Sequence, residues 1–170
     1  MKSIKNLVFL GMMGSGKSSI GKLISKKLNL PFIDIDFLIV KNAEMSISEI
    51  FEKKGENYFR NLEEKITLKS LKKAKNVISL GGGGFINTKI RKEILTSHYS
   101  FWLKWDESTL IKRIKNSKKR PLAFKSTDDE IKTIIKDRSK IYKKAQFKIN
   151  CNKLTKTEIL QNIIKIYELN

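Results

Sequence analysis

A chain of 170 residues, 40% of them apolar, with one Cys and one His, is expected to fold as one soluble unit spanning residues 1–170. At this length roughly 70% of the unfolded surface can be buried, enough for an enzyme core. No stretch approaches the ~18–20 apolar residues of a membrane span, the N-terminal MKSIKNLVFL runs into a glycine loop without a small-residue cleavage site, and the lone Cys151 permits no intramolecular disulfide. Membrane insertion and secretion are therefore disfavoured, a reducing cytoplasm is expected, and Cys151 reads as a buried or idle thiol.

The net charge of +19 raises the question of a polyanion partner. Arg, the usual choice for base edges and bidentate phosphate contacts, occurs only at positions 60, 91, 113, 120 and 138; the rest of the excess is Lys, spread over both halves with no basic arm. We therefore expect a solvated lysine-rich surface and no nucleic-acid partner. In so Arg-poor a chain, each Arg becomes a better functional candidate.

The first apolar run, Leu7 to Leu10, reads as a strand, and Lys17 to Leu28 carries Ile20, Leu23, Ile24 and Leu28 at helical steps. Between them, Gly11-Met12-Met13-Gly14-Ser15-Gly16-Lys17-Ser18 fills G-x-x-x-x-G-K-[ST] at every fixed position, in the strand–loop–helix context that makes this pattern a phosphate-binding loop. Its glycines let backbone N–H groups converge on phosphates, the helix N-terminus adds partial positive charge, Lys17 reaches phosphoryl oxygens and the Ser18 hydroxyl suits Mg²⁺. A nucleoside triphosphate, ATP, is the expected ligand.

Phe32 to Ile35 reads as the second strand, with Asp34 and Asp36 leaving its end on one side. Asp34 is a candidate to hold Mg²⁺ or its waters, and Asp36 to serve as general base toward a hydroxyl acceptor, although Asp also marks strand ends and helix caps. Ser46 with Glu49 reads as a capping box opening a helix. Arg60 and Glu63 lie three apart on one helix face and, by themselves, read as a surface ion pair.

Val77 to Leu80 is the next strand, followed by four consecutive glycines, Gly81 to Gly84. Such a run packs nothing, so it fits a place where backbone approaches a ligand or another loop. Asn87, Asp106 and Thr127 are expected helix caps, and Tyr99 to Trp105 and Phe147 to Ile149 are the remaining strands. The polar, basic run from Asn116 to Ser126, bent by Pro121, suits a loop that closes over phosphates and delivers an Arg. The alternation of strand and helix points to an α/β fold with a parallel sheet covered on both faces.

Taken together and in this order, these segments resemble shikimate kinase, of the P-loop nucleoside monophosphate kinase superfamily. GMMGSGKSSIGK resembles its phosphate loop, FIDID its D-x-D motif, GENYFRNLE its G-E-x-x-F-R-x-x-E motif, SLGGGG its glycine motif, KRPL its lid motif and RSKIY its R-x-x-x-Y motif. The resemblance implies a three-layer α/β/α sandwich with a short five-stranded parallel sheet, a substrate-binding helical region over about residues 34–63 and a mobile lid over about residues 116–126. It implies MgATP-dependent phosphorylation of the 3-hydroxyl of shikimate, in the chorismate branch of aromatic amino-acid synthesis. Shikimate and ATP/ADP are the implied partners of an expected monomer.

By position, the resemblance assigns Lys17, Asp36 and Arg120 to catalysis. It assigns Gly14, Ser15, Gly16, Lys17, Ser18, Ser19, Arg113 and Arg120 to the nucleotide, with Arg113 against adenine. It assigns Asp36, Arg60, Gly82, Gly83 and Arg138 to shikimate, and Ser18, with Asp34 through water, to Mg²⁺. A strand-end aspartate of the common P-loop type is missing at the end of NVIS, where Ser79 stands. A gluconate kinase or a nucleoside monophosphate kinase would share the fold and the loop, but no His-Pro follows FIDID, and Ser18-Ser19 replaces the Gly-Thr usual in adenylate kinases. An ATP-responsive module or a basic RNA-binding protein are the readings outside catalysis.

Overall fold

Leu7–Leu10 (β1) is wholly buried along its length, with all four side chains at 0% exposure. The reason is its place in the sheet: β1 pairs in parallel with Val77–Ser79 (β3) on one side and Tyr99–Lys104 (β4) on the other. Phe32–Asp34 (β2) and Phe147–Asn150 (β5) close the edges, giving a five-stranded parallel sheet in the order β2-β3-β1-β4-β5. The computed structural model describes residues 5–116 and 126–170.

Strand alternation sorts the core into two halves. Val8 and Leu10 face one cluster with Ile35, Ile39, Ile50 and Phe85, while Leu7 and Phe9 face a second with Ile20, Ile24, Ile159 and Ile163. The second cluster is supplied by Lys17–Leu28 (α1) and the C-terminal Lys156–Glu168 (α7). The first is supplied by Ile35–Ala43 (α2), Ile47–Leu71 (α3), Thr88–Ser97 (α4), Glu107–Lys115 (α5) and Asp128–Tyr142 (α6). This is the expected α/β/α sandwich. Fully burying each Leu, Ile or Phe contributes about 1.5–3 kcal/mol, so both clusters are needed to hold so short a sheet.

The expected caps form as read. Ser46 and Glu49 make a reciprocal capping box at α3, Thr127 and Glu130 make another at α6, and Asn87 and Asp106 accept N–H bonds at the starts of α4 and α5. A third box, Thr155 with Glu158, opens α7. α3 is broken at Gly55, whose φ of 83° and ψ of 169° leave the helical region and separate the Glu56–Leu71 part from the first turns.

One expectation needs correction. β2 ends at Asp34, and Ile35 already belongs to α2, because the Asp34 carboxylate accepts from Phe37 N–H at 3.2 Å and caps that helix. Asp36 therefore sits in the first turn of a helix, and its orientation comes from helical geometry instead of the two-residue strand repeat.

Candidate active site

The phosphate loop lies between β1 and α1, where the chain turns through left-handed glycines; Gly16, the N-cap of α1, has φ of 86°. Three other helices, α3, α6 and α7, have their first N–H groups satisfied by capping boxes. α1 differs: its N-cap makes no side-chain hydrogen bond and its first turn carries no acidic residue. That end presents N–H donors and the positive pole of the helix to the loop, the arrangement that binds phosphate.

Lys17 is buried at 6% exposure, and its Nζ donates to the carbonyls of Gly11 at 2.9 Å and Met12 at 2.8 Å, with Ser15 Oγ at 3.4 Å. The ammonium is thus held at the loop by its own backbone. Ser15 is buried, Gly14 and Ser19 are exposed, and Ser19 stands in the first turn of α1. Ser18 Oγ donates to Asp34 Oδ2 at 2.6 Å and lies 3.3 Å from Ser79 Oγ. The serine that stands in place of a strand-end aspartate therefore joins the Ser18–Asp34 pair, bringing three hard oxygen-bearing side chains to one point.

Beside the loop opens a cavity of about 520 Å³ whose lining includes Asp36, Arg60, Gly82, Gly83 and Arg138. These are all five residues that the resemblance assigned to substrate. Each arrives from a different element or loop: Asp36 from α2, Arg60 from the second part of α3, the glycines from the turn after β3, and Arg138 from α6. An apolar wall of Met12, Phe51, Phe59 and Ile131 surrounds them.

The glycine run is explained by what touches it. A Cβ on Gly81 would lie 2.6 Å from Asp36 Oδ1 and 2.8 Å from Glu63 Oε1, and one on Gly83 would meet the Arg60 guanidinium, 2.9 Å from its Cζ. Real Cβ atoms do not come so close, so two carboxylates and a guanidinium can rest on this backbone only because it is bare. The position of a Gly82 Cβ is also 3.3 Å from Met13 N, which puts the glycine turn directly against the phosphate loop. Gly82 O in turn accepts from the Tyr142 hydroxyl, and burial pushes that phenol up to about 12.

Glu63 is the residue whose importance the sequence understated. It is 2% exposed, binds Arg60 Nη1 through Oε2 at 2.8 Å, and leaves Oε1 buried with no hydrogen-bond partner among the described residues. Arg60 also reaches the exposed Glu56 at 3.3 Å. Burial is the largest influence on Glu63 and raises its carboxyl above the ordinary value; the Arg60 guanidinium opposes this, and Asp36 adds to it.

On the far side of the loop, Arg113 of α5 lies with its guanidinium carbon 3.8 Å from the Trp105 ring centroid and donates to Gly14 O at 3.3 Å. Trp105, which the sequence gave no reason to single out, donates its indole N–H to Ser15 O at 2.9 Å. Arg120 and the interior of the expected lid lie outside the described residues. The segment's described ends are joined by an ion pair between Lys115 and Asp128, and Ser126 lines the cavity. Cys151 is fully buried, and burial pushes its thiol up to about 12, in keeping with an idle group.

A family model described as shikimate kinase matches residues 13–168. The chain belongs to the shikimate kinase family. The shikimate kinase of Thermodesulfovibrio yellowstonii is 39% identical over 166 residues, covering 97% of this chain and 96% of its own. The crystal structure of shikimate kinase from Aquifex aeolicus superposes with a TM-score of 0.85 at 37% identity over 96% of each chain. The fold is also that of shikimate kinase from Acinetobacter baumannii in complex with shikimate, with a TM-score of 0.92 over 99% of this chain and 96% of that one, at 24% identity. Among the described residues, no helix is long and apolar enough to cross a membrane.

Proposed function

We propose that this chain transfers the γ-phosphoryl group of ATP to the 3-hydroxyl of shikimate, giving shikimate 3-phosphate and ADP. The observation that carries the reading is the single cavity in which Asp36, Arg60, Arg138 and the bare backbone of Gly82 and Gly83 meet against the phosphate loop. Shikimate is a small polyol with one carboxylate. Arg60 and Arg138 are planar cations suited to bidentate capture of that carboxylate, assisted by the N–H groups of the glycine turn. Such charge-assisted bonds contribute about 1.5–3 kcal/mol each. Asp36, in the same cavity, accepts the proton of the attacking hydroxyl. Family membership favours this acceptor over gluconate or a nucleoside monophosphate.

On the nucleotide side, the N–H groups at the start of α1 and the Lys17 ammonium face the phosphates, and Arg120 is assigned to them from the lid motif. As the hydroxyl oxygen bonds to the γ-phosphorus, the bond to the β-bridging oxygen breaks and ADP carries away its electron pair. The protein's share is positioning and charge stabilisation. Ser18 and Asp34, with Ser79 adjacent, are the residues that would hold Mg²⁺, since their oxygens are the hard donors such an ion takes. Bound there, the ion would supply neutralisation of the phosphate charge. ATP and shikimate acting on a cytoplasmic monomer complete the reading.

The test is ADP release by the purified protein with MgATP and matched concentrations of shikimate, quinate, gluconate, AMP or no acceptor. Turnover confined to shikimate supports the assignment; turnover with another acceptor alone overturns the substrate and leaves the nucleotide site standing.

Glu63 adds a pH signature. Its ionised form holds Arg60 in place, and its raised value means that it takes up a proton at a higher pH than a free carboxyl. As pH falls through that raised value, kcat/KM for shikimate is expected to decline. Stability runs the other way. A group whose folded value exceeds its unfolded one binds more protons when folded, so its contribution is fully present below the unfolded value and is lost as pH rises through the folded one. Rate and denaturation profiles of wild type and Glu63→Gln check both signs; the acid limb is expected to move to lower pH in the variant, where Asp36 alone sets it.

A further inference from the structure

Trp105 follows β4 directly and is the point where the sheet, the phosphate loop and α5 meet. It is partly buried and packs against both core clusters, so its ring is anchored from both sides of the sheet. Its edge is committed: the indole N–H donates to Ser15 O, a buried residue of the phosphate loop 90 positions away. Its face is committed as well, because the Arg113 guanidinium stacks on it at 3.8 Å. Arg113 donates to the neighbouring loop carbonyl, Gly14 O, at 3.3 Å, and the place a Gly14 Cβ would take is 3.3 Å from Arg113 Cβ. The next residue after Trp105, Asp106, caps α5 and has its own N–H bound to Asn152 Oδ1 at 2.8 Å, which fixes the backbone between Trp105 and the helix that carries Arg113.

An indole and a guanidinium thus grip two successive carbonyls of the loop. The consequence is directional, because a peptide whose C=O is held on the outside turns the following N–H toward the inside. Holding Ser15 O from the Trp105 side keeps the Gly16 N–H aimed away from it, while the Ser15 N–H is bound within the loop to Met12 O at 3.2 Å. Arg113 is exposed and stands beside the phosphate loop, bound to Gly14 O. A flat cation there has the geometry to stack on an aromatic base, and a long side chain that is already held loses less entropy on doing so.

We propose that Trp105 is a positioning residue of the nucleotide site. Its indole holds the Arg113 guanidinium and the Gly14–Ser15 carbonyls together, so that a purine nucleoside di- or triphosphate finds its stacking surface and its phosphate donors already arranged. This rests on the reading that the loop binds ATP. Because Trp105 acts through Arg113 and the phosphate loop, its removal affects nucleotide binding and leaves shikimate binding alone.

The experiment is a double-mutant cycle on ADP affinity by calorimetry, with KM for ATP and for shikimate measured alongside. Trp105→Leu is expected to weaken ADP binding roughly tenfold, with KM for shikimate unchanged; Trp105→Phe, which keeps the ring but lacks the N–H, is expected to fall between. In an Arg113→Ala background, Trp105→Leu is expected to cost clearly less than in the wild type, only the part carried by its bond to Ser15 O, since its stacking partner is gone. Losses that add in full, or an equal rise in both KM values, would show general packing and overturn the proposal. A second readout does not depend on those variants folding well. The chain has two Trp, so Trp102→Phe leaves Trp105 as the only indole, and ADP is expected to change its emission; ADP binding with unaltered emission overturns the proposal. Failure of the wild-type chain to bind ADP would instead sink the ATP reading itself, and that outcome is distinct from wild-type affinity in Trp105→Leu.

Discussion

Asp36→Asn is expected to lower kcat by about 10²–10⁴-fold, the usual contribution of a positioned general base, with ADP affinity and melting temperature close to wild type. Asn keeps the size of Asp and much of its hydrogen bonding, so it still fits in the first turn of α2 against the bare Gly81 backbone. What it cannot do is accept the hydroxyl proton. The neighbouring carboxylate is a poor substitute: Glu63 Oε2 is engaged with Arg60 at 2.8 Å, and the residue is 2% exposed. The split between kcat and nucleotide affinity is therefore the diagnostic. Initial rates at saturating MgATP and shikimate, with ADP titration of the same preparation, check it. A variant with wild-type kcat would remove Asp36 from the proton path and leave it a binding group.

What the sequence revealed, and what it hid, follows the range of the interactions involved. The phosphate loop, the caps at Ser46, Asn87, Asp106 and Thr127, and the five strands are signalled by residues within a few positions of one another, and each forms, although β2, β3 and β4 each end one residue sooner than read. The reading of Asp34 and Asp36 as a strand-end pair failed because two local rules competed. The apolar run favoured extending the strand through Ile35, but the Asp34 carboxylate found the Phe37 N–H and started a helix. Glu63 shows a different limit. The i,i+3 spacing revealed its pair with Arg60 but not the glycine turn that lies against it, so a buried, charge-perturbed carboxylate resembled an exposed ion pair. Trp105 was beyond reach altogether, since its meaning depends on a carbonyl 90 residues earlier in the chain. Ser79 lies between these cases: the missing aspartate was visible, whereas the approach of its hydroxyl to Ser18 required the β1–β3 pairing.

The second large effect is expected at Lys17. Lys17→Met keeps an unbranched stem of similar length but removes the ammonium, and kcat/KM for ATP is expected to fall by about 10²–10³, the scale seen when one preorganised donor to a developing charge is deleted. The fold is expected to survive, because the stem still packs at the start of α1, although Gly11 O and Met12 O each lose a donor. Lys17→Arg is the sharper variant. It preserves the charge, so it would restore turnover if a positive potential near the loop were all that was required. Yet Nζ lies within 2.9 Å of two carbonyls, and the residue is only 6% exposed, a space matched to a compact ammonium and too tight for a planar guanidinium. Lys17→Arg is therefore expected to be nearly as impaired as Lys17→Met in steady-state kinetics, while both retain shikimate binding through Arg60 and Arg138. Substantial rescue by Arg would mean that the loop recognises charge more than shape, and that the two backbone bonds to Lys17 do not govern where the cation must stand.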